Sequence, residues 1–243
     1  MNKNDRLLVV IPAFNEEKSV SGVVEKTVSY FDRIGFMNYD VLVVNDASED
    51  GTLYELKGCR CKVLSHCVNL GIGGSMQTGF IYARDNSYDY VLQVDGDGQH
   101  DPEEAGRLIL GMDDETDVVV GSRFIENKGF QSSRIRQTGI KFFSFLIRYL
   151  TGINVSDVTS GFRLINRKTI DILSRCYPDE YPEPESFVIF WKYGLRVKEV
   201  AVVMHERKYG KSSINSIYYM FKVTISIIYS YIKYRYYGKY RIV

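Results

Sequence analysis

The chain has 243 residues, of which 45% are hydrophobic and 25% charged, with a formal net charge of +1 and four cysteines. That length and apolar content exclude a disordered chain and allow one large domain or a domain with an appendage. The near-neutral charge gives no reason to expect nucleic acid as a partner. Cys59, Cys61, Cys67 and Cys176 have neither paired zinc spacing nor a secreted disulfide framework, so they read as reduced thiols of a cytosolic protein.

In chain order, Leu7 to Ile11 is a short β-branched run without polar alternation, the pattern of a parallel strand buried on both faces, and Pro12 is expected to end it. The run is too short for the apolar region of a signal peptide, so the expected location is cytoplasmic. Asn15, Glu16 and Glu17 precede apolar residues at Val20, Val23, Val24, Val28 and Phe31, which predicts a helix with acids in its first turn. Val41 to Val44 is a second strand, ending at Asn45 and Asp46, with a short helix over Gly51 to Lys57 behind it. Cys61 to Ser65 is a third strand, followed by Asn69-Leu-Gly71-Ile-Gly73-Gly74 and a helix to about Arg84. Tyr90 to Val94 is the fourth, and Pro102 opens another helix. Val118 to Val120 is the fifth, ending at Gly121-Ser-Arg123. Strands alternating with helices predict an α/β fold with a mostly parallel sheet.

The second half is less regular. Ile135 to Leu150 has helical periodicity, and a polar loop from Ser156 to Arg163 precedes Leu164 and Ile165. Glu183 to Tyr193 is predicted helical and Leu195 to Val203 extended. From Ile214 to Tyr234, apolar residues lie near one face while Lys222 interrupts the middle, which favours a helix in a membrane interface over one that spans it. The Tyr-rich tail with four cations from Lys233 to Arg241 suits headgroup level. Packing of this helix on the core, on a second copy or on a membrane protein stays open. The expected division is a domain over 1–212 and an amphipathic helix with tail over 213–243.

The chemistry concentrates in Val91-Leu-Gln-Val-Asp95-Gly-Asp97-Gly-Gln99-His100-Asp101-Pro102. Two carboxylates spaced one apart follow a strand, where ligands sit in open α/β sheets. Gly96 and Gly98 are expected to leave room for a bulky ligand, and the acids suit an oxygen-loving divalent cation bridging to a diphosphate. The Gly71 region lacks the final glycine and following acid of a dinucleotide fingerprint.

With Val10-Ile-Pro-Ala-Phe-Asn-Glu-Glu17, Val44-Asn-Asp46, Gly121-Ser-Arg123, Asp157-Val-Thr-Ser-Gly-Phe-Arg163 and Glu206-Arg-Lys-Tyr-Gly210, the chain resembles the inverting family 2 glycosyltransferases of GT-A fold. It is most similar to their polyprenyl-phosphate, dolichol-phosphate mannose synthase-like branch. The resemblance implies that Pro12, Asn15, Glu17 and Asp46 line the pocket for base and ribose. It implies Asp95, Asp97 and Gln99 as ligands of Mg²⁺ or Mn²⁺ against the diphosphate of a UDP- or GDP-linked sugar. Arg123, Arg134, Arg136 and the block from Ser160 to Arg163 would form the acceptor-phosphate region, with Glu185 nearby. Arg207 and Lys208 would clamp the diphosphate, and Lys211 would stand in for the lysine of that branch, since Ser213 occupies its usual place. Asp97, Asp157, Arg123 and Arg163 are the catalytic candidates.

The expected reaction is attack of a polyprenyl phosphate oxygen on the donor's anomeric carbon, at the inner face of the membrane. A phosphate needs no general base, and His66, His100 and His205 read as structural. Transfer to a glycan hydroxyl would need a base, for which Asp157 is the candidate. A non-catalytic nucleotide-sugar-binding or scaffold protein is the other alternative, and intact Asp95, Asp97 and Gln99 argue against it.

Overall fold

The computed structural model describes residues 4–126, 134–206 and 217–237. Strand β1 (Leu7–Ala13) is buried at every position. Leu8 and Val10 enter one core while Leu7, Val9 and Ile11 enter the other, the period of two expected of a strand covered on both faces. The strand does not stop at Pro12, since pairing with β2 (Tyr39–Asn45) continues to Ala13 opposite Asn45. Pairing with β4 (Tyr90–Gln93) ends at Val10, so the missing N–H of Pro12 falls where the ladder is already over.

Helix α1 (Val20–Arg33) begins after Glu16 and Glu17, and its first turn carries no acid, contrary to the expectation. The α2 turn (Thr52–Glu55) leads to β3 (Lys62–Ser65), an exposed edge strand. Helix α3 (Gly71–Asp85) precedes β4. Asp101 then caps a tight turn over Pro102–Glu104, which continues into α4 (Ala105–Gly111) and β5 (Val118–Ser122). The second half adds α5 (Arg134–Thr151), β6 (Arg163–Asn166), α6 (Arg167–Cys176), α7 (Pro182–Lys192), β7 (Val197–Ala201) and α8 (Ile217–Ile232). The sequence reading missed α6, which Asn166 starts by accepting a bond from the Thr169 N–H at 3.0 Å.

The seven strands form one sheet in the order β3-β2-β1-β4-β6-β5-β7. Every pairing is parallel except those of β6, which runs antiparallel to both β4 and β5. The loop leading into β6 therefore arrives at the edge where the parallel strands end, and this reversal builds the functional cleft. On one face, α3, α6 and α7 pack with α5 and α8, whose Val223 and Ile227 are fully buried in the shared core. A buried bond of 2.7 Å from Ser230 Oγ to Glu185 Oε2 fastens α8 to α7. Among the described residues, no helix is long and apolar enough to cross a membrane.

Candidate active site

A cleft of about 580 Å³ opens along the carboxyl ends of β1, β2, β4 and β5. At one end lie Pro12, Asn15 and Asp46. Asn15 adopts a left-handed backbone (φ 55°), a conformation that asparagine tolerates better than most residues. Its Oδ1 accepts from the Glu49 N–H at 2.9 Å, tying the loop after β1 to the loop after β2. The Asp46 carboxylate is nearly saturated: it accepts from the N–H groups of Leu70 and Gly71, each at 2.8 Å, and lies 2.7 Å from His66 Nδ1. Asp46 thus organises the entrance of α3. His66 reaches on to Thr78 Oγ1 at 2.9 Å, so it serves as a tie between β3 and α3.

Glu17 does not line the cleft. Its carboxylate turns to the loop after β2 and accepts from the Gly51 N–H at 3.0 Å, while its neighbour Glu16 lines the cleft instead. Arg207, Lys208 and Lys211 lie outside the described residues.

Asp95, Asp97 and Gln99 all line the cleft. Asp97 Oδ1 accepts from the Gln99 N–H at 2.9 Å, which curls the loop so that both side chains project to one side. The Asp95 N–H donates to His100 Nδ1 at 3.0 Å, and the His100 ring is stacked on Phe162 at 5.0 Å. That buried imidazole orients the acidic loop, in keeping with a structural histidine. The two glycines serve the loop's own geometry more than a ligand. A Cβ on Gly96 would lie 2.9 Å from the Pro12 carbonyl, and Gly98 has φ +77°.

Arg123 and Arg136 line the same cleft, joined by Ser160 and Gly161 from the loop before β6. Gly161 allows that loop to close in, since a Cβ there would lie 2.7 Å from Gln93 Nε2 and 3.2 Å from Asp95 Oδ1. Arg123 donates twice to Asp157, from Nε to Oδ2 and from Nη2 to Oδ1, both at 2.7 Å. Burial opposes its charge, but the Asp157 carboxylate outweighs burial and raises the Arg123 pKa. Arg136 is pushed the other way, by burial and by the neighbouring charge of Arg123. Two guanidinium groups held close enough to repel make a site that an anion relieves. Arg134 begins α5, and its side chain lies outside what is described.

Three candidates do not line the cleft. Asp157 is fully buried, with both oxygens on Arg123, so it positions that arginine. Arg163 is buried beneath the floor, where it donates to the Ser160 carbonyl at 2.8 Å, to Ser186 Oγ at 2.6 Å and to the Glu183 carbonyl at 2.8 Å. Glu185 points to α8 through Ser230. Glu183, two residues before Glu185 in α7, is the acid of that helix that lines the cleft. Burial, with a smaller contribution from the charge of Asp95, pushes its pKa up to about 7.

The residues present fit a hard divalent cation. Asp95, Asp97 and Gln99 line one cleft and offer carboxylate and amide oxygens, the donors such a cation takes.

An acidic loop and an arginine pair line one cleft at the carboxyl edge of a mostly parallel sheet, an arrangement whose chemistry suits phosphorylated ligands. Residues 8–173 match the model of glycosyl transferase family 2, and the chain belongs to that family. It is a glycosyltransferase. It is 27% identical over 220 residues to polyprenol monophosphomannose synthase of Mycolicibacterium smegmatis, covering 86% of this chain and 81% of that one. It is 27% identical over 245 residues to UDP-N-acetylglucosamine--dolichyl-phosphate N-acetylglucosaminyltransferase of Methanococcus voltae, covering 90% and 94%. Its fold is shared with glucosyl-3-phosphoglycerate synthase of Mycobacterium tuberculosis, solved with Mn²⁺ and UDP-glucose. That match has a TM-score of 0.68 at 20% identity and covers 94% of this chain and 79% of that one.

Proposed function

We propose that the enzyme transfers a sugar, with inversion, from a nucleoside diphosphate sugar to a polyprenyl phosphate at the cytoplasmic face of a membrane. The observation that carries the reading is that Asp95, Asp97 and Gln99 line the same cleft as Arg123 and Arg136. Oxygen ligands that suit a cation and guanidinium groups that suit an anion, lining one cleft, fit a donor diphosphate together with an acceptor phosphate. Relatives named for transfer to polyprenol and dolichyl phosphates support the acceptor class.

In this reading Pro12, Asn15 and Glu16 border the nucleoside, and Asp46 holds the loop against which it rests. Asp95, Asp97 and Gln99 would hold Mg²⁺ or Mn²⁺, which would supply the positive charge that a leaving diphosphate requires. Arg123 and Arg136 orient the acceptor phosphate for attack from the opposite face of the sugar. The phosphate is its own anionic nucleophile, so the reaction runs without a general base, and the burial of Asp157 weighs against the hydroxyl-acceptor alternative. The apolar residues that α8 exposes, such as Phe221, Ile225 and Tyr229, with Lys222 among them, form the face that meets the lipid surface. Phe145 and Tyr149 of α5 extend it.

The test supplies purified protein with Mg²⁺ or Mn²⁺, polyprenyl phosphate in anionic vesicles and a panel of UDP- and GDP-sugars, with lipid products read by mass spectrometry. A glycosylated lipid phosphate formed by the wild type and lost in Asp97→Asn is the expected result. Nucleotide release with glycans but none with lipid phosphate would overturn the acceptor assignment.

A further inference from the structure

β7 is the last strand of the sheet, and Val197, Glu199 and Ala201 share one of its faces. On that face Val197 packs against the core to which α5 contributes Phe143 and Ile147. Glu199 thus puts a carboxylate where the alternation of the strand would place another apolar side chain. The carboxylate closes on a single turn. Oε1 accepts from the Asp157 N–H and from Ser156 Oγ, both at 2.8 Å, and the Ser156 N–H lies 3.0 Å from each oxygen. Because Ser156 Oγ gives its proton to Glu199, it accepts from Ser122 Oγ, 3.1 Å away at the end of β5. Ser144 Oγ, in α5, donates to the Ser156 carbonyl at 2.9 Å. The turn so held joins the two arginines of the cleft. On one side, the Asp157 carboxylate takes the Arg123 backbone N–H at 3.2 Å as well as the two side-chain bonds described above. On the other, α5 is one continuous helix in which Ser144 lies about two turns beyond Arg136.

We infer that Glu199 is a positioning residue for the acceptor anion: by seating the Ser156–Asp157 turn against both β5 and α5, it sets the spacing of Arg123 and Arg136. The inference rests on the acceptor-phosphate assignment made above and goes beyond it by naming what fixes the geometry of that site. Glu199 does not line the cleft, so it acts through the turn. The spacing has to be imposed by the framework, because two neighbouring guanidinium groups repel each other. A phosphate oxygen bonded by both is satisfied only when their directions converge. A charged residue on an edge strand can also serve merely to keep a further strand from adding to the sheet. In that role it would have no influence on anion binding.

Isothermal titration of the full chain separates the two roles. The probes are a water-soluble short-chain prenyl phosphate, titrated into metal-free protein, and UDP and GDP, titrated with Mn²⁺ present. Glu199→Ala should weaken the prenyl phosphate about tenfold and bind the nucleotides as the wild type does. Glu199→Gln, which keeps an oxygen in place of Oε1, should retain most of the affinity. Glu199→Asp keeps the charge but is one methylene short, and should resemble Glu199→Ala. Prenyl phosphate binding that is unchanged or tighter in Glu199→Ala would overturn the inference, as would equal losses for prenyl phosphate and nucleotide. Circular dichroism melting checks that each variant folds, and Glu199→Asp carries the comparison if Glu199→Ala does not. Arg136→Gln is the control for the underlying assignment. If it binds the prenyl phosphate as the wild type does, the acceptor site itself is misplaced and the inference falls with it. A loss in Arg136→Gln with none in Glu199→Ala removes the role of Glu199 alone.

Discussion

The two sides of the cleft hold their polar groups by different means. On the β1–β2 side, Asp46 is fixed by main-chain N–H groups and a histidine, and Asn15 by the main chain of a neighbouring loop. On the β5–β6 side, Arg123 depends on one buried carboxylate, and the floor depends on one buried guanidinium, that of Arg163. Main-chain donors persist through most substitutions. A buried ion pair fails when either member is replaced, so the β5–β6 side should be far more sensitive to single mutations than the β1–β2 side.

The largest expected effect falls on the acidic loop after β4, the strand that lies between the two sides. Asp97→Asn should lower transfer by on the order of a thousandfold, measured as lipid product per unit time, with a native circular dichroism spectrum. Next comes the contrast itself. Asp157→Asn strands the Arg123 charge and should cost about 3–5 kcal/mol of folding stability, whereas Asp46→Asn should cost only about 1–3 kcal/mol. Urea unfolding of the two variants measures the difference, and equal losses would erase the distinction drawn here. A smaller and more selective effect is expected of Arg136→Gln: the KM for polyprenyl phosphate should rise about tenfold or more, with the donor KM unchanged.

The mildest effect is one of pH. The folded state raises the Glu183 pKa to about 7, so between the ordinary carboxylate range and that value the native protein keeps a proton that the unfolded chain releases. Stability attributable to this group is therefore complete at the acid end of that window and falls as pH rises through it. The melting temperature of Glu183→Gln should decline less than that of the wild type over the same interval, as differential scanning fluorimetry would record.

Much of the first half was legible in the sequence because its strands are doubly covered. Continuous apolar runs such as Leu7 to Ile11 admit few other readings, and polar residues directly after them, Asp46, Asp95 and Arg123 among them, fall at the ligand-binding edge by topology alone. The reversal of β6 was not legible. Its four residues begin with Arg163 and end with Asn166, too short and too polar at the ends to declare a direction. Helix α6, immediately behind it, was lost in the same stretch. Among site residues, the errors were errors of facing. Glu183 and Glu185 lie two positions apart on a helix, some 200° around its axis, so one meets the cleft while the other meets α8. Glu16 and Glu17 divide in the same way in the loop after β1. Asp157 and Arg163 have the right chemistry for a phosphate site, but whether such groups meet a ligand or support one that does depends on burial, which no local pattern reports.

The reversed strand also governs how the protein can assemble as it is made. β1 to β4 pair only with one another until β6 emerges, so a nascent chain can complete that parallel unit by Gln93. β5 has no such opportunity, since both strands beside it, β6 and β7, lie later in the chain. A chain that ends at β5 leaves that strand without either of its sheet neighbours, and β6, paired with both β4 and β5, is the piece that joins it to the first four. One face of the parallel unit waits as well, since the core that holds Leu8, Val10, Leu42 and Val44 is completed by Leu173, Phe187 and Phe190 from helices made after β6.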